Sequence, residues 1–158
     1  MDSLFFTEEH KMIQRMVSEF AKDEIIPVAR ELDKTGEFPK NIVKKMGSLG
    51  LMGINVPTEY GGSGLDMVSY AAAIIELAKA DASIAITMAA HTSLGTLPIL
   101  LYGSSSLKKK YLPKIASGET LSAFGLTEPQ AGSDAGSTKT TAIKLGDHYI
   151  INGGKIFI

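Results

Sequence analysis

The chain has 158 residues, the size of one ordinary domain, and its make-up of 44% hydrophobic and 21% charged residues excludes a disordered chain. Its 16 basic and 17 acidic residues leave a net charge of -1, which sets up no field to draw in nucleic acid or an anionic membrane surface, so neither is expected as a partner. With no cysteine there is neither a disulfide scaffold nor a thiolate metal site, and the three histidines, His10, His91 and His148, are too scattered to suggest a local metal cluster.

The opening MDSLFFTEEHKM lacks a basic stretch followed by an apolar core and is too acidic for a transit peptide. The expected address is the cytosol, or the mitochondrial matrix if a leader has been removed. Thr7 is a plausible N-cap for a first amphipathic helix carrying Met12, Ile13, Met16, Val17, Phe20, Ile25, Val28 and Leu32 along one face, with Pro27 expected to bend or interrupt it. Pro39 suits the first turn of a second helix through about Met46, stopped by the glycines at 47, 50 and 53. INVPTEYGGSGLD reads as loop. Asp66 is placed to cap a third helix through about Ala80, and Asp81 a fourth through about Leu101. Both are so rich in Ala and Ile that burial nearly all round is expected. Ser105 is the expected cap of a fifth helix ending at Gly118, with Tyr111, Leu112 and Ile115 inward and Lys108 to Lys110 on a solvated face.

The run from Ala82 to Leu107 holds no Asp, Glu, Lys or Arg and exceeds the ~20 residues a membrane span needs. Its load of Ser83, Thr87, His91, Thr92, Ser93, Gly95, Thr96 and Pro98 suits hydrocarbon badly, so a helix buried in a bundle or subunit contact is the expected role. Beyond Gly118 the period changes. TKTTAIKL and HYII have strand composition with a Gly-Asp turn between them, and Asn152-Gly153 between short apolar runs signals a further hairpin. The expected architecture is mainly α: a helical bundle over residues 1–118, followed over 119–158 by the first strands of a β-barrel-like domain. Some 40 residues are too few for a β core of their own, and the chain stops in the apolar KIFI, so the natural polypeptide is expected to continue.

Chemistry concentrates in FGLTEPQAGSDAGST, residues 124–138. Gly125, Gly132 and Gly136 allow successive N–H groups to converge, and Thr127, Ser133, Ser137 and Thr138 add hydroxyl donors, a surface suited to an acceptor-rich ligand. On composition alone a surface loop whose hydroxyls satisfy their own backbone is the favoured reading. The stretch has neither a Walker ending nor a helix-opening G-x-G-x-x-G. YGGSG at 60–64 reads as a tight turn before it reads as a phosphate site, His91 as a hydrogen-bonded interior or wall residue, and the methionines at 12, 16, 46, 52, 67 and 88 as core filler.

The order of residues in FGLTEPQAGSDA closely resembles the flavin and substrate segment of the acyl-CoA dehydrogenases. VKKMGSLGLMGINVPTEYGGSGLD, LPILLYGSSSLKKKYLPKIASGE and INGGKIFI fall in that family's order, so the resemblance spans nearly the whole chain. Gln130 stands where the family commonly has glycine. The resemblance implies FAD as cofactor, contacted at Phe124, Leu126, Thr127, Gly132 and Ser133, with Phe157 and Ile158 opening a second flavin strand. It implies that Ser133 also meets the acyl-CoA and that His91, Leu94 and Leu97 shape the acyl-chain pocket. Donors aimed at the pyrimidine end of the flavin ring stabilise the negative charge that gathers there on reduction.

The implied reaction oxidises the Cα–Cβ bond of an acyl-CoA to the enoyl-CoA, leaning toward short-chain substrates, with an electron-transfer flavoprotein as acceptor and a homotetramer as the assembly. The family's glutamate base lies on a C-terminal helical bundle or a helix just before it, and no residue from 1 to 158 matches it. No catalytic residue is therefore assigned, and Glu128 reads as held structurally. Activity of the fragment alone is not expected. Two alternatives stand beside this reading: a non-catalytic helical module that dimerises through 82–107, and an acyl-CoA oxidase or flavin monooxygenase on the same fold.

Overall fold

The structure, a computed structural model, describes residues 6–158; residues 1–5, part of the stretch read above for a leader, lie outside the described residues. The chain divides into two compact units, one ending at Ala123 and one running Phe124–Ile158.

In the first unit, α1 (Glu8–Phe20) begins with a reciprocal cap. Thr7 Oγ1 accepts the His10 N–H at 3.3 Å while His10 Nδ1 accepts the Thr7 N–H at 3.1 Å, a histidine doing what Glu or Gln usually does three residues into a helix. With Nδ1 accepting, the ring proton sits on Nε2 and is donated to Asp66 Oδ2 at 2.9 Å. Asp66 also accepts the Ser69 N–H at 2.8 Å and so caps α4 (Met67–Ala80). The Ser69 N–H and the His10 ring together hold the Asp66 carboxyl down to about 2. Asp81 caps α5 (Ala82–Ala89) by accepting the Ile84 N–H at 2.9 Å.

Two prolines shape the long helices in the same way. α1 runs through a π-helical turn, Ala21–Ile25, into α2 (Ile26–Thr35), and α5 runs through a second, Ala90–Thr96, into α6 (Leu97–Tyr102). Pro27 and Pro98 lack an N–H and crowd the carbonyl four residues upstream, which belongs to Asp23 and Leu94 respectively. In both cases that carbonyl lies in the widened turn, where the longer hydrogen-bond spacing makes room for the ring. The interruption expected at Pro27 is thus a wide turn in a helix that goes on.

Gly47 lies inside α3 (Lys40–Ser48) rather than ending it. A Cβ there would sit 2.2 Å from Ser117 O, so this glycine lets the chain after α7 (Ser105–Ala116) approach the helix closely. Gly50, with φ 76°, is the one that turns the chain. The cap of α7 is Ser104, not Ser105: its side chain accepts the Leu107 N–H at 3.3 Å.

The core is built from Val17, Ile25, Met46, Leu51, Met52, Leu77, Ile84 and Met88. Burial all round the third and fourth helices is not observed. α4 buries Ala72, Ala73 and Leu77 but exposes Met67, Val68 and Ile75, while Ile86, Leu94 and Leu101 are exposed on the next helix, because neighbours pack each helix along one stripe. Ala82–Tyr102 is one continuous 21-residue helix, long and apolar enough by length and composition to cross a membrane, with Ile84, Ala85 and Met88 packed in the helical core. Met12 and Met67 are exposed instead of filling the core, and Tyr111 faces out, with Lys110 Nζ 5.0 Å from its ring centre.

In the second unit, β1 (Thr141–Leu145) pairs antiparallel with β2 (His148–Asn152), Ile143 opposite Ile150 and Leu145 opposite His148, through the expected Gly146-Asp147 turn with Gly146 at φ 65°. The hairpin expected at Asn152-Gly153 does not form. Neither residue takes the positive φ that the tight turn needs, and residues 153–158 carry no strand. They run instead to the loop before β1, where the Ile156 N–H donates to Thr127 O at 2.9 Å. The β part among the described residues is therefore this one two-stranded sheet.

Candidate functional site

The segment Phe124–Ser133 is irregular backbone organised about one buried carboxylate. Glu128 N donates to Ala131 O and Ala131 N to Glu128 O, both at 3.0 Å, closing a short turn through Pro129 and Gln130. The Glu128 side chain points into the unit and is 3% exposed. Its oxygens accept from Lys155 Nζ at 2.8 Å, Thr140 Oγ1 at 2.5 Å, Lys139 N at 2.7 Å, Thr140 N at 3.1 Å and Gln130 Nε2 at 2.5 Å. The Lys155 ammonium first, then the Thr140 hydroxyl and the Lys139 N–H, hold this carboxyl far below the ordinary range. Buried residues of this unit are Glu128 and Ala131, so polar bonds to a carboxylate, more than an apolar core, order it.

Gln130 fits without strain. Among the described residues Phe157, at φ 55°, is the non-glycine with positive φ, so position 130 makes no demand for glycine, and the Gln130 amide adds a donor to Glu128.

Around that anchor, the sequence-predicted flavin residues lie at the surface. Phe124 is 47% exposed and Leu126 40% exposed. The hydroxyls of Thr127 and Ser133 have no hydrogen-bond partner among the described residues, and a Cβ built at Gly132 meets no atom of the chain. Phe157 and Ile158 are exposed as well, and Ile158 lies against the Gly125 position. The second unit thus brings together Phe124, Leu126, Thr127 and the 155–158 stretch. Ser133 stands beyond the Glu128–Ala131 turn with its hydroxyl open.

His91, in the first unit, is used up by the fold. Its ring is 1% exposed, with Nε2–H donating to Met52 O at 3.1 Å and Nδ1 accepting the Ser122 N–H at 3.1 Å. Burial pushes the imidazole below its usual value, and the Met52 bond only partly opposes this. Both ring nitrogens of His91 are thus spent within the fold, as the hydrogen-bonded interior reading expects. Leu94 on the same helix is 49% exposed and Leu97 half-buried, so both have surface to offer. YGGSG is a packed turn, with Gly61 and Gly64 at positive φ and Ser63 Oγ donating to Gly50 O at 3.0 Å. A cleft of about 740 Å³ lined by Val28, Leu32, Phe38, Pro39 and Ile42 contains none of the sequence-predicted site residues.

Lys155 was not singled out from the sequence. Its signal was weak but present: one cation set in an otherwise apolar terminal run, in a unit whose loop carries a lone glutamate next to proline.

The profile of the acyl-CoA dehydrogenase N-terminal domain matches residues 7–119, and that of the acyl-CoA dehydrogenase middle domain matches residues 123–158. The chain belongs to the acyl-CoA dehydrogenase family. An acyl-CoA dehydrogenase of Bacillus subtilis is 53% identical over 96% of this chain and 40% of its own length. A short-chain specific acyl-CoA dehydrogenase of Clostridium acetobutylicum is 48% identical, again over 96% of this chain and 40% of its own length. Among solved structures, an acyl-CoA dehydrogenase from Bacillus anthracis complexed with FAD superposes with a TM-score of 0.88 at 45% identity, covering 94% of this chain and 26% of that one. The chain spans about 40% of the length of the curated acyl-CoA dehydrogenases it matches.

Proposed function

We propose that residues 1–158 are the helical domain, 1–118, and the opening of the middle domain, 119–158, of a flavin-dependent acyl-CoA dehydrogenase. The observation that carries this reading is the loop 124–133: pinned at its base by Glu128, it leaves the Thr127 and Ser133 hydroxyls unpartnered and Gly132 open. Left unspent on the loop's own backbone, those hydroxyls stay available to a ligand. FAD fits this donor set, since its ring is planar and apolar on its faces and rich in acceptors at one edge. Phe124 and Leu126 supply apolar surface for the faces, Thr127 and Ser133 supply donors, and Phe157 with Ile158 supplies a second apolar edge.

When bound, FAD supplies the two-electron acceptor that lets a saturated acyl thioester become an enoyl thioester. This chain's residues bind and orient: Ser133 reaches the thioester-bearing cofactor, and Leu94 and Leu97 offer apolar wall to the acyl chain, with a short-chain substrate favoured. No residue from 1 to 158 serves as the base that takes the α-proton. Glu128 is unsuited to it, because five donors occupy its oxygens and keep it ionised. An electron-transfer flavoprotein is the proposed acceptor, a homotetramer the assembly, and a soluble compartment, cytoplasm or mitochondrial matrix, the setting.

The test is direct. The polypeptide at its full encoded length, made in flavin-replete cells, should purify yellow, and acyl-CoA thioesters should reduce an artificial electron acceptor in its presence. Ser133→Ala and Thr127→Val should each weaken FAD or acyl-CoA binding about three- to tenfold, the worth of roughly one hydrogen bond. A colourless polypeptide that takes up no added FAD refutes the proposal, and oxygen consumption in place of transfer to the artificial acceptor assigns an oxidase instead.

A further inference from the structure

We propose that the buried Glu128 carboxylate and Lys155 form a positioning clamp that locks the two segments offered to the flavin, Phe124–Thr127 and Phe157–Ile158, into one rigid platform. The inference rests on the flavin reading above and adds two residues to it.

The geometry is economical. Lys155 Nζ donates to Glu128 Oε1 at 2.8 Å and to Leu126 O at 3.0 Å, joining positions 27 and 29 residues apart in the chain. One residue on, the Ile156 N–H donates to Thr127 O at 2.9 Å. Two consecutive carbonyls of the first segment are thereby fixed by two consecutive residues of the second. A trans peptide carries its C=O and N–H on opposite sides. Holding Leu126 O on Lys155 therefore turns the Thr127 N–H away from the clamp, and that N–H has no partner among the described residues. The clamp thus decides which way a free donor at the proposed flavin edge points.

Apolar packing contributes little to holding these segments. β1 and β2 are exposed along their whole length, and Ala131 is the one buried apolar residue there. The side chain of Glu128 is 2% exposed and that of Lys155 30%, so water competes weakly at the carboxylate. The pair is neutral overall and adds no net charge to the platform. Thr140 and Lys139, just ahead of β1, bind the same carboxylate and tie the hairpin to it.

Glu128 and Lys155 are positioning residues, so the test reads the flavin itself. Wild type, Lys155→Met, Glu128→Gln and the milder Thr140→Val are compared in the polypeptide at its full encoded length. FAD dissociation constant, visible absorption envelope, flavin midpoint potential and melting temperature of the flavin-free protein are measured. K155M and E128Q should weaken FAD at least tenfold, about 1.4 kcal/mol, with a changed absorption envelope and a displaced potential; T140V should weaken it roughly threefold. Folded K155M and E128Q that hold FAD within threefold of wild type, with envelope and potential unchanged, overturn the clamp and leave the flavin reading standing, even if they melt earlier. If neither folds, T140V decides, and wild-type affinity and spectrum in that variant overturn the clamp. A wild-type polypeptide that takes up no FAD overturns both.

Discussion

His91→Leu tests whether this histidine belongs to the fold and not to a substrate pocket. The leucine fills a similar volume but cannot hydrogen-bond. Met52 O loses its donor inside the core, which costs about 2 kcal/mol, and the Ser122 N–H, half-buried, loses its acceptor at a cost of about 1 kcal/mol. Ser122 Oγ keeps its bonds to Thr96 Oγ1 and His91 O, both at 3.0 Å. The added apolar burial returns about 1 kcal/mol, leaving a net loss of about 2 kcal/mol. Urea unfolding followed by far-ultraviolet circular dichroism measures it. The same series carries a pH signature. Because burial depresses the imidazole, the unfolded state binds a proton more readily, so the stability His91 confers is complete above about pH 6.5 and lost as pH falls through its lower folded value. The wild type should weaken between pH 7 and pH 5 by more than His91→Leu does. A leucine variant within about 0.5 kcal/mol of wild type, with the same pH slope, refutes the assignment.

Gly47→Ala places a Cβ 2.2 Å from Ser117 O, a backbone atom with little room to yield, and should cost about 1–3 kcal/mol in the same urea experiment; an unchanged midpoint removes the close-approach argument. Asp81→Ala strips the side chain that accepts the Ile84 N–H and should cost about 1 kcal/mol, with Asp81→Ser recovering most of it. Glu128 is held below the ordinary carboxylate range, so the order it confers is present above about pH 4.5 and lost as pH falls through its folded value. Protection of the Lys139 and Thr140 amides, taken relative to their intrinsic exchange rate at each pH, should therefore fall on acidification, and Glu128→Gln should flatten that dependence. An equal fall in the variant counts against the carboxylate.

Local signals in the sequence fixed the helix starts, because a cap is a contact between residues three apart. Thr7, Asp66 and Asp81 stand where their side chains imply, and the Ser104 cap was missed by one residue since two serines adjoin and either hydroxyl is chemically fit. The wide turns at Ala21–Ile25 and Ala90–Thr96 were half legible: Pro27 and Pro98 announce a disturbance, but whether a helix breaks or widens depends on the neighbours holding both sides of it. Which face of α4 and α5 is buried was beyond reach, because a sequence apolar all round contains no stripe to read.

For the site, the order of residues in FGLTEPQAGSDA was enough to point to the family that the two domain profiles match and to nominate flavin contacts, since specific recognition needs particular donors at particular spacings. The partners of those residues were not there to be read. A hydrogen bond between Glu128 and Lys155 spans 27 positions, and the sealing of His91 by Met52 and Ser122 spans 39 and 31. Pairings at such distances leave no periodic trace along a single chain. Residue chemistry is written locally, but whether a polar group is free to act or already taken depends on what the fold brings beside it, and only the tertiary structure decides that.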